Sequence, residues 1–237
     1  MARAVRVEFP GAIYHLMARG VARLPTFLDD EDRRHFVDLL GGLVGAGALE
    51  IHAFCLMPND YHLLCETPDG GLGRWLRHLN GDYARWFNSR HKRVGHLWQG
   101  RYKAILVEDG RYFQECSRYI HLNPNRAKLT RPAERYRWSS FRNYVGGPTV
   151  ADWVQTRRVL LGFSGDGECY RAYVEAGKGE KPASPFERAI AGLALGGEAF
   201  VAKVRALLAD RPDSGETPAL RQLRRAAKPT FEQVRAA

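Results

Sequence analysis

Leu56-Met57-Pro58-Asn59-Asp60-Tyr61-His62-Leu63-Leu64 is the stretch whose reading decides the fold. Pro58 presets a turn conformation and Asn59 tolerates one, so the chain reverses direction here. The flanking segments, 49–57 and Tyr61 to Thr67, are short apolar runs, and the three parts together predict a β-hairpin. Side chains alternate along a strand, so Asp60 and His62 share one face while Tyr61 points to the other.

Outward from the hairpin, residues 12–19 (Ala-Ile-Tyr-His-Leu-Met-Ala-Arg) predict a first strand stopping at Gly20. Asp29-Asp30-Glu31-Asp32 supply an acidic helix start, and Phe36, Leu39, Leu40 and Leu43 continue at helical spacing until Gly45 and Gly47. Leu72, Trp75, Leu76, Leu79, Tyr83, Trp86 and Phe87 recur at three- and four-residue steps, a second helix over 72–90. A strand over 97–107 and a helix over 109–123, ended by Pro124, complete the pattern. The order strand, helix, strand, strand, helix, strand predicts an α+β fold: a ferredoxin-like antiparallel sheet with helices on one face.

In Trp138-Ser139-Ser140-Phe141 a serine can cap a short helix. Gly146-Gly147-Pro148 then marks a boundary between a first domain, 1–147, and a smaller helical C-terminal extension, 148–237. Helices are expected there near 153–162, 168–176, 185–195, 197–209 and 217–226.

The net charge is +10 and unevenly spread. Residues 1–73 hold six Lys/Arg against ten Asp/Glu, whereas residues 74–142 hold sixteen against five. A basic block of this kind suits a polyphosphate partner. Within it Arg74, Arg77, Arg85, Arg90, Lys92, Arg93, Arg101 and Lys103 alternate with Trp75, Tyr83, Trp86, Phe87, Trp98, Tyr102, Tyr112 and Phe113. Rings beside cations suit single-stranded nucleic acid, whose bases stack while its phosphates meet the charges. No apolar run reaches the roughly 20 residues of a membrane helix, and no apolar stretch follows the N-terminal charges as in a secretory signal. Cys55, Cys65, Cys116 and Cys169 form no CxxC pair and sit among apolar neighbours, the pattern of buried, reduced thiols in a cytoplasmic protein.

A carboxylate and an imidazole on one strand face, Asp60 and His62, can hold Mg²⁺ or Mn²⁺ if a third group joins them. Tyr119 and Asn123, four residues apart, share a helix face just before Pro124. A tyrosine beside such a metal can attack a DNA phosphate, forming a phosphotyrosine and releasing a 3′-hydroxyl. Spacing alone leaves simpler roles open: turn chemistry for Asp60, packing for His62 and Tyr119, with Tyr83, Tyr102 and Tyr112 as rival nucleophiles.

Five segments occur in one order: Phe9-Pro10-Gly11-Ala12-Ile13-Tyr14-His15, Cys55 to Leu64, His96-Leu97-Trp98-Gln99-Gly100-Arg101-Tyr102-Lys103, Arg118-Tyr119-Ile120-His121-Leu122-Asn123-Pro124, and Trp138-Ser139-Ser140-Phe141. Together they resemble the single-tyrosine transposases of the His-hydrophobe-His superfamily, in particular the REP-associated tyrosine transposases that act on palindromic repeats. The resemblance spans roughly residues 1–147. It implies cleavage and rejoining of single-stranded or hairpin DNA, Tyr119 as nucleophile, and a divalent metal held by Asp60, His62 and Asn123. Arg118 and Arg126 join the expected DNA-contacting cations, and a homodimer is the common assembly. The sequence departs from the pattern at Asp60, where the family has histidine. That departure motivates an alternative: a domesticated protein that binds DNA hairpins with little or no cutting.

Overall fold

The computed structural model describes residues 7–179 and 183–209. Its first elements are β1 (Ala12–Arg19), α1 (Asp30–Gly45), β2 (Glu50–Leu56), β3 (Asp60–Thr67), α2 (Leu72–Arg90), β4 (Lys103–Val107) and α3 (Arg111–Arg126). The strands lie side by side as β2-β3-β1-β4-β5, with β5 (Ala194–Leu195) contributed from far along the chain. β1 is central and buried along all but its last residue, which is why it reads as an almost unbroken apolar run. The first four strands pair antiparallel in ferredoxin-like order, as the element order predicts. β5 adds a short parallel pairing to β4, so the sheet is mixed.

Alternation along β3 assigns the two faces. Tyr61 meets α1 and α2: its ring lies 4.8 Å from that of Phe36, and its hydroxyl donates to Asn80 Oδ1 at 2.9 Å. α2 buries Leu72, Leu76, Leu79, Tyr83 and Phe87 against this face. The acidic run Asp29-Asp30-Glu31-Asp32 starts α1 as expected. Asp29 closes a capping box with Asp32, and the acidic first turn complements the helix dipole. α3 covers the opposite face, with Phe113 against His52 and Tyr119 against His15 and His62. The pair of helices expected on one face is therefore matched by a helix on the other.

Several elements differ from their sequence reading. β4 is shorter than 97–107, because Trp98 forms an isolated bridge with Gly20 and turns its indole N–H to the Asn80 carbonyl at 3.0 Å. Pro124 lies inside α3, which runs on to Arg126. The proline removes one N–H, but Ala127 still bonds to the Asn123 carbonyl at 2.9 Å and closes the next turn. Ser140 precedes α4 (Phe141–Val145) without capping it; its Oγ accepts the Phe54 N–H at 2.8 Å and ties the segment to β2.

Beyond residue 147 lie α5 (Arg157–Leu160), α6 (Gly167–Ala176), α7 (Pro185–Arg188) and α8 (Glu198–Ala209). The helix expected over 185–195 ends after α7. Ala191 and Gly192, both at positive φ, turn the chain into β5. The helix expected over 217–226 falls outside the described residues. Ala151, Val154, Val159, Tyr170 and Val174 share one core with the sheet. Cys55, Cys65 and Cys116 are buried as expected, but Cys169 is exposed, its thiol donating to Asp166 at the start of α6. Among the described residues no helix is long and apolar enough to cross a membrane.

Candidate active site

The β1–β3 register places Arg19 directly opposite Asp60 and Met17 opposite His62. Arg19 donates to Asp60 Oδ2 twice, from Nε at 3.1 Å and from Nη2 at 3.0 Å. Asp60 Oδ1 lies 3.8 Å from His62 Nε2. On its other side His62 Nδ1 is 3.1 Å from His15 Nε2. Burial pushes His62 down to about 4; Asp60 opposes the shift, and Arg19 and Arg126 add to it. Burial, with His62 beside it, also holds His15 well below the ordinary histidine range. Both rings are thus neutral near pH 7, and each carries one N–H. The hydrogen bond between them then couples their tautomers. When His62 Nδ1–H donates to His15, His62 Nε2 is left with a lone pair directed toward Asp60.

α3 brings Tyr119 and Asn123 to the same place. The Tyr119 ring sits edge-on to both imidazoles, 5.8 Å from His15 and 6.0 Å from His62. The Arg126 guanidinium stacks 4.4 Å over that ring, and its Nη1 donates to the Tyr119 carbonyl at 3.1 Å. The Asn123 amide is buried and its nitrogen has no hydrogen-bond partner. A cavity of about 580 Å³ joins Asp60, His62, Tyr119 and Asn123 to the cations Arg19, Lys103 and Arg126. Ser184, Phe186 and Glu187 close one side, and the Phe186 ring lies 4.5 Å from that of His15.

The rival tyrosines do not line this cavity. Tyr83 is fully buried and donates to the Thr26 carbonyl at 2.6 Å, and Tyr102 is also buried. Phe87 and Phe113, with these two, are core rings rather than stacking platforms. Of the expected DNA-contacting cations, Lys103 and Arg126 line the tyrosine cavity. Arg77 and Arg101 line a neighbouring groove of about 1010 Å³ beside Trp98. Arg19, Arg101 and Lys103 share a smaller recess between the two. Arg74 stacks 4.0 Å over Trp75, Arg93 stacks 5.5 Å over Phe87, Arg85 pairs with Asp82, and Lys92 is exposed. Arg118 lies 4.4 Å over the Tyr173 ring of α6. Arg90 holds Asp29, Glu31 and Asp32 at the start of α1, so its guanidinium already has three carboxylate partners.

The family model for IS200-like transposases matches residues 9–123, a span running from the start of β1 to Asn123. Over these residues the chain is similar to the IS200-like transposases. A solved REP-associated tyrosine transposase bound to a REP hairpin is 18% identical, with a TM-score of 0.50 over 61% of this chain and 86% of that one, and it shows the same fold. A crystal structure described as a transposase from Deinococcus radiodurans is 23% identical, with a TM-score of 0.35 over 57% of this chain and 96% of that one. No curated protein matches the chain.

Sequence reading missed Arg19 and the Phe186 wall of the Tyr119 cavity, and had His15 only as a first-strand residue that could lend a nitrogen. Arg19 and Asp60 are 41 residues apart, and only the strand register makes them neighbours. His15 shares the alternation of Met17 and Arg19 on β1, so the hairpin face, once paired with β1, carries the signal for both.

Proposed function

We propose that this protein is a transposase that nicks and rejoins single-stranded or hairpin DNA through Tyr119. The observation that carries the reading is the meeting of Tyr119 with Asp60, His62, Asn123, Lys103 and Arg126 at one cavity. Lys103 and Arg126 offer positive charge to a phosphate at the tyrosine. Tyr119 Oη attacks phosphorus; the Oη–P bond forms and the bond from phosphorus to the 3′ oxygen breaks. The phenol gives up a proton and the released 3′ oxygen gains one. The phosphodiester energy is conserved in the phosphotyrosine, so attack by a 3′-hydroxyl rejoins a strand without ATP.

The residues fit a hard divalent cation such as Mg²⁺ or Mn²⁺. His62 Nε2, Asp60 Oδ1 and the Asn123 amide oxygen make a mixed oxygen and nitrogen set, and all three residues line the Tyr119 cavity. When bound there, the ion would supply charge to a non-bridging phosphate oxygen. Arg19 fixes the orientation of the Asp60 carboxylate from behind and offsets the charge that replaces the family's histidine. His15 sets the His62 tautomer that leaves a lone pair for the ion.

The test is a cleavage assay on single-stranded palindromic DNA with Mg²⁺, with Mn²⁺ and with chelator. Metal-dependent cleavage that disappears in Tyr119→Phe, with DNA binding retained, is the expected result. The Arg19–Asp60 pair specifically favours a second reading, hairpin recognition without cutting, because it engages one of the carboxylate oxygens. Tight binding with no cleavage under either metal, and gain of cleavage in Asp60→His, would select that second reading.

A further inference from the structure

The opposite end of the same sheet face carries another cluster of donors. Glu50 on β2 and Glu66 on β3 are direct register partners, two carboxylates facing each other across an edge strand pair. Like charges in this position are destabilising unless a cation lies between them. Between Ile51 and Ala53 the pairing with β3 shifts, and His52 is the extra residue of that bulge. Bulges re-aim side chains, and this one turns His52 toward Glu66, with its Nε2 4.0 Å from Glu66 Oε2.

The protonation of His52 follows from its partners. Its Nδ1 lies 3.2 Å from the Gln155 carbonyl, which can only accept, so Nδ1 carries the ring proton. Nε2 is then a bare lone pair. It is buried, on a residue 1% exposed, and has no hydrogen-bond partner. The Arg158 guanidinium pairs with Glu66 and with Asp109 at 2.8 Å and lies 5.5 Å over Phe113. Set against Glu50, Glu66 and Asp109, it leaves this corner two charges negative.

We propose that Glu50, His52 and Glu66 form a second divalent-cation site, of the zinc class and separate from the Tyr119 cavity. Among the described residues their donor atoms all lie within 4.8 Å of one another, and one imidazole with two carboxylates is a donor set suited to zinc. A ring N–H held by a backbone carbonyl is the usual way a ligating imidazole is oriented. Glu50 is exposed, so a fourth position is open to water. Glu66 and His62 are four residues apart on β3, about 13 Å at the rise of a strand. Paired catalytic metals sit about 3.5–4 Å apart, so this ion has no part in phosphate chemistry. Its role is to pin the edge strand β2 to β3 and to the Gln155 segment, whatever reaction occurs at Tyr119.

The experiment uses the full chain carrying Asp60→Asn and His62→Ala, which removes donors from the tyrosine cavity. After treatment with chelator the protein is incubated with ZnCl₂ or MgCl₂, desalted, and read by elemental analysis and thermal melting. The proposal expects about one zinc per chain and a rise in Tm of roughly 5 °C or more, with no response to magnesium. Adding Glu50→Gln, at an exposed position that leaves folding intact, should abolish both zinc retention and the Tm rise without lowering the metal-free Tm. Adding His52→Gln should do the same to zinc retention. No zinc in the parent variant, or undiminished zinc in Glu50→Gln, overturns the proposal.

Discussion

Strand β3 carries an acid and an imidazole partner at each end, and the two ends are neutralised in different ways. At the Asp60 end the carboxylate is gripped by Arg19, and the neighbouring imidazole leans on a second one, His15. At the Glu66 end the carboxylate pairs with Arg158 but also faces Glu50, and the imidazole is pinned by a backbone carbonyl. The donor types are nearly the same. What separates the ends is what α3 delivers: Tyr119, Asn123 and Arg126 to the first, and the apolar ring of Phe113 to the second. Under the proposed function, reactivity is set by the helix packed over the strand as much as by the strand itself.

The strongest way to break this contrast is to remove the reactive group. Tyr119→Phe keeps the ring under Arg126 and should lower DNA cleavage by roughly a thousandfold or more while binding persists, measured by gel shift beside the cleavage assay. Loss of the imidazole partner should be milder. His15→Leu frees the His62 tautomer and should reduce metal-dependent cleavage about 10–100-fold, with the metal concentration for half activity rising in step. Smaller still is the effect of one cation at the cavity. Lys103→Ala should weaken single-strand binding and flatten the log–log salt dependence by about 0.7, whereas Arg90→Ala should lower Tm and leave that slope unchanged.

Acid should affect both ends together. Burial holds His62 and His52 near 4 and His121 near 3, against an ordinary value of 6.5. Between about 4 and 6.5 these rings are neutral in the folded chain and protonated in the unfolded one, so the unfolded chain binds more protons. Stability should therefore be full above about pH 6.5 and decline as pH falls toward 4, read by chemical denaturation across that window. A flat profile there would mean that the rings are already charged in the folded protein.

Much of this was legible in the sequence, and the exceptions have physical causes. β1, α1 and α2 follow from apolar spacing with clear stops, because each buries a continuous face. The alternation of Asp60, Tyr61 and His62 gave the two faces of β3 correctly. Pro124 misled because a proline in the last turn costs a single hydrogen bond rather than ending the helix. Residues 185–195 have helical apolar spacing, but positive φ at Ala191 and Gly192 breaks it, and β5 gains its order only by pairing with β4. Arg90 reads as a surface cation in a basic run, and only the packing of α2 against α1 brings three carboxylates to it. Arg19 was invisible, and the reach of His15 undecided, for the complementary reason: both come from register across strands, which no local spacing encodes.

The central claim is that Tyr119, of the tyrosines near the basic groove, becomes covalently joined to DNA. The direct measurement is to trap the protein on single-stranded palindromic DNA with Mn²⁺, digest the DNA and protein, and map the nucleotide-bearing peptide by mass spectrometry. A nucleotide linked through phosphate to Tyr119 is the result this account requires. A nucleotide on Tyr112 or Tyr102, or cleavage with no linked peptide at all, would contradict it.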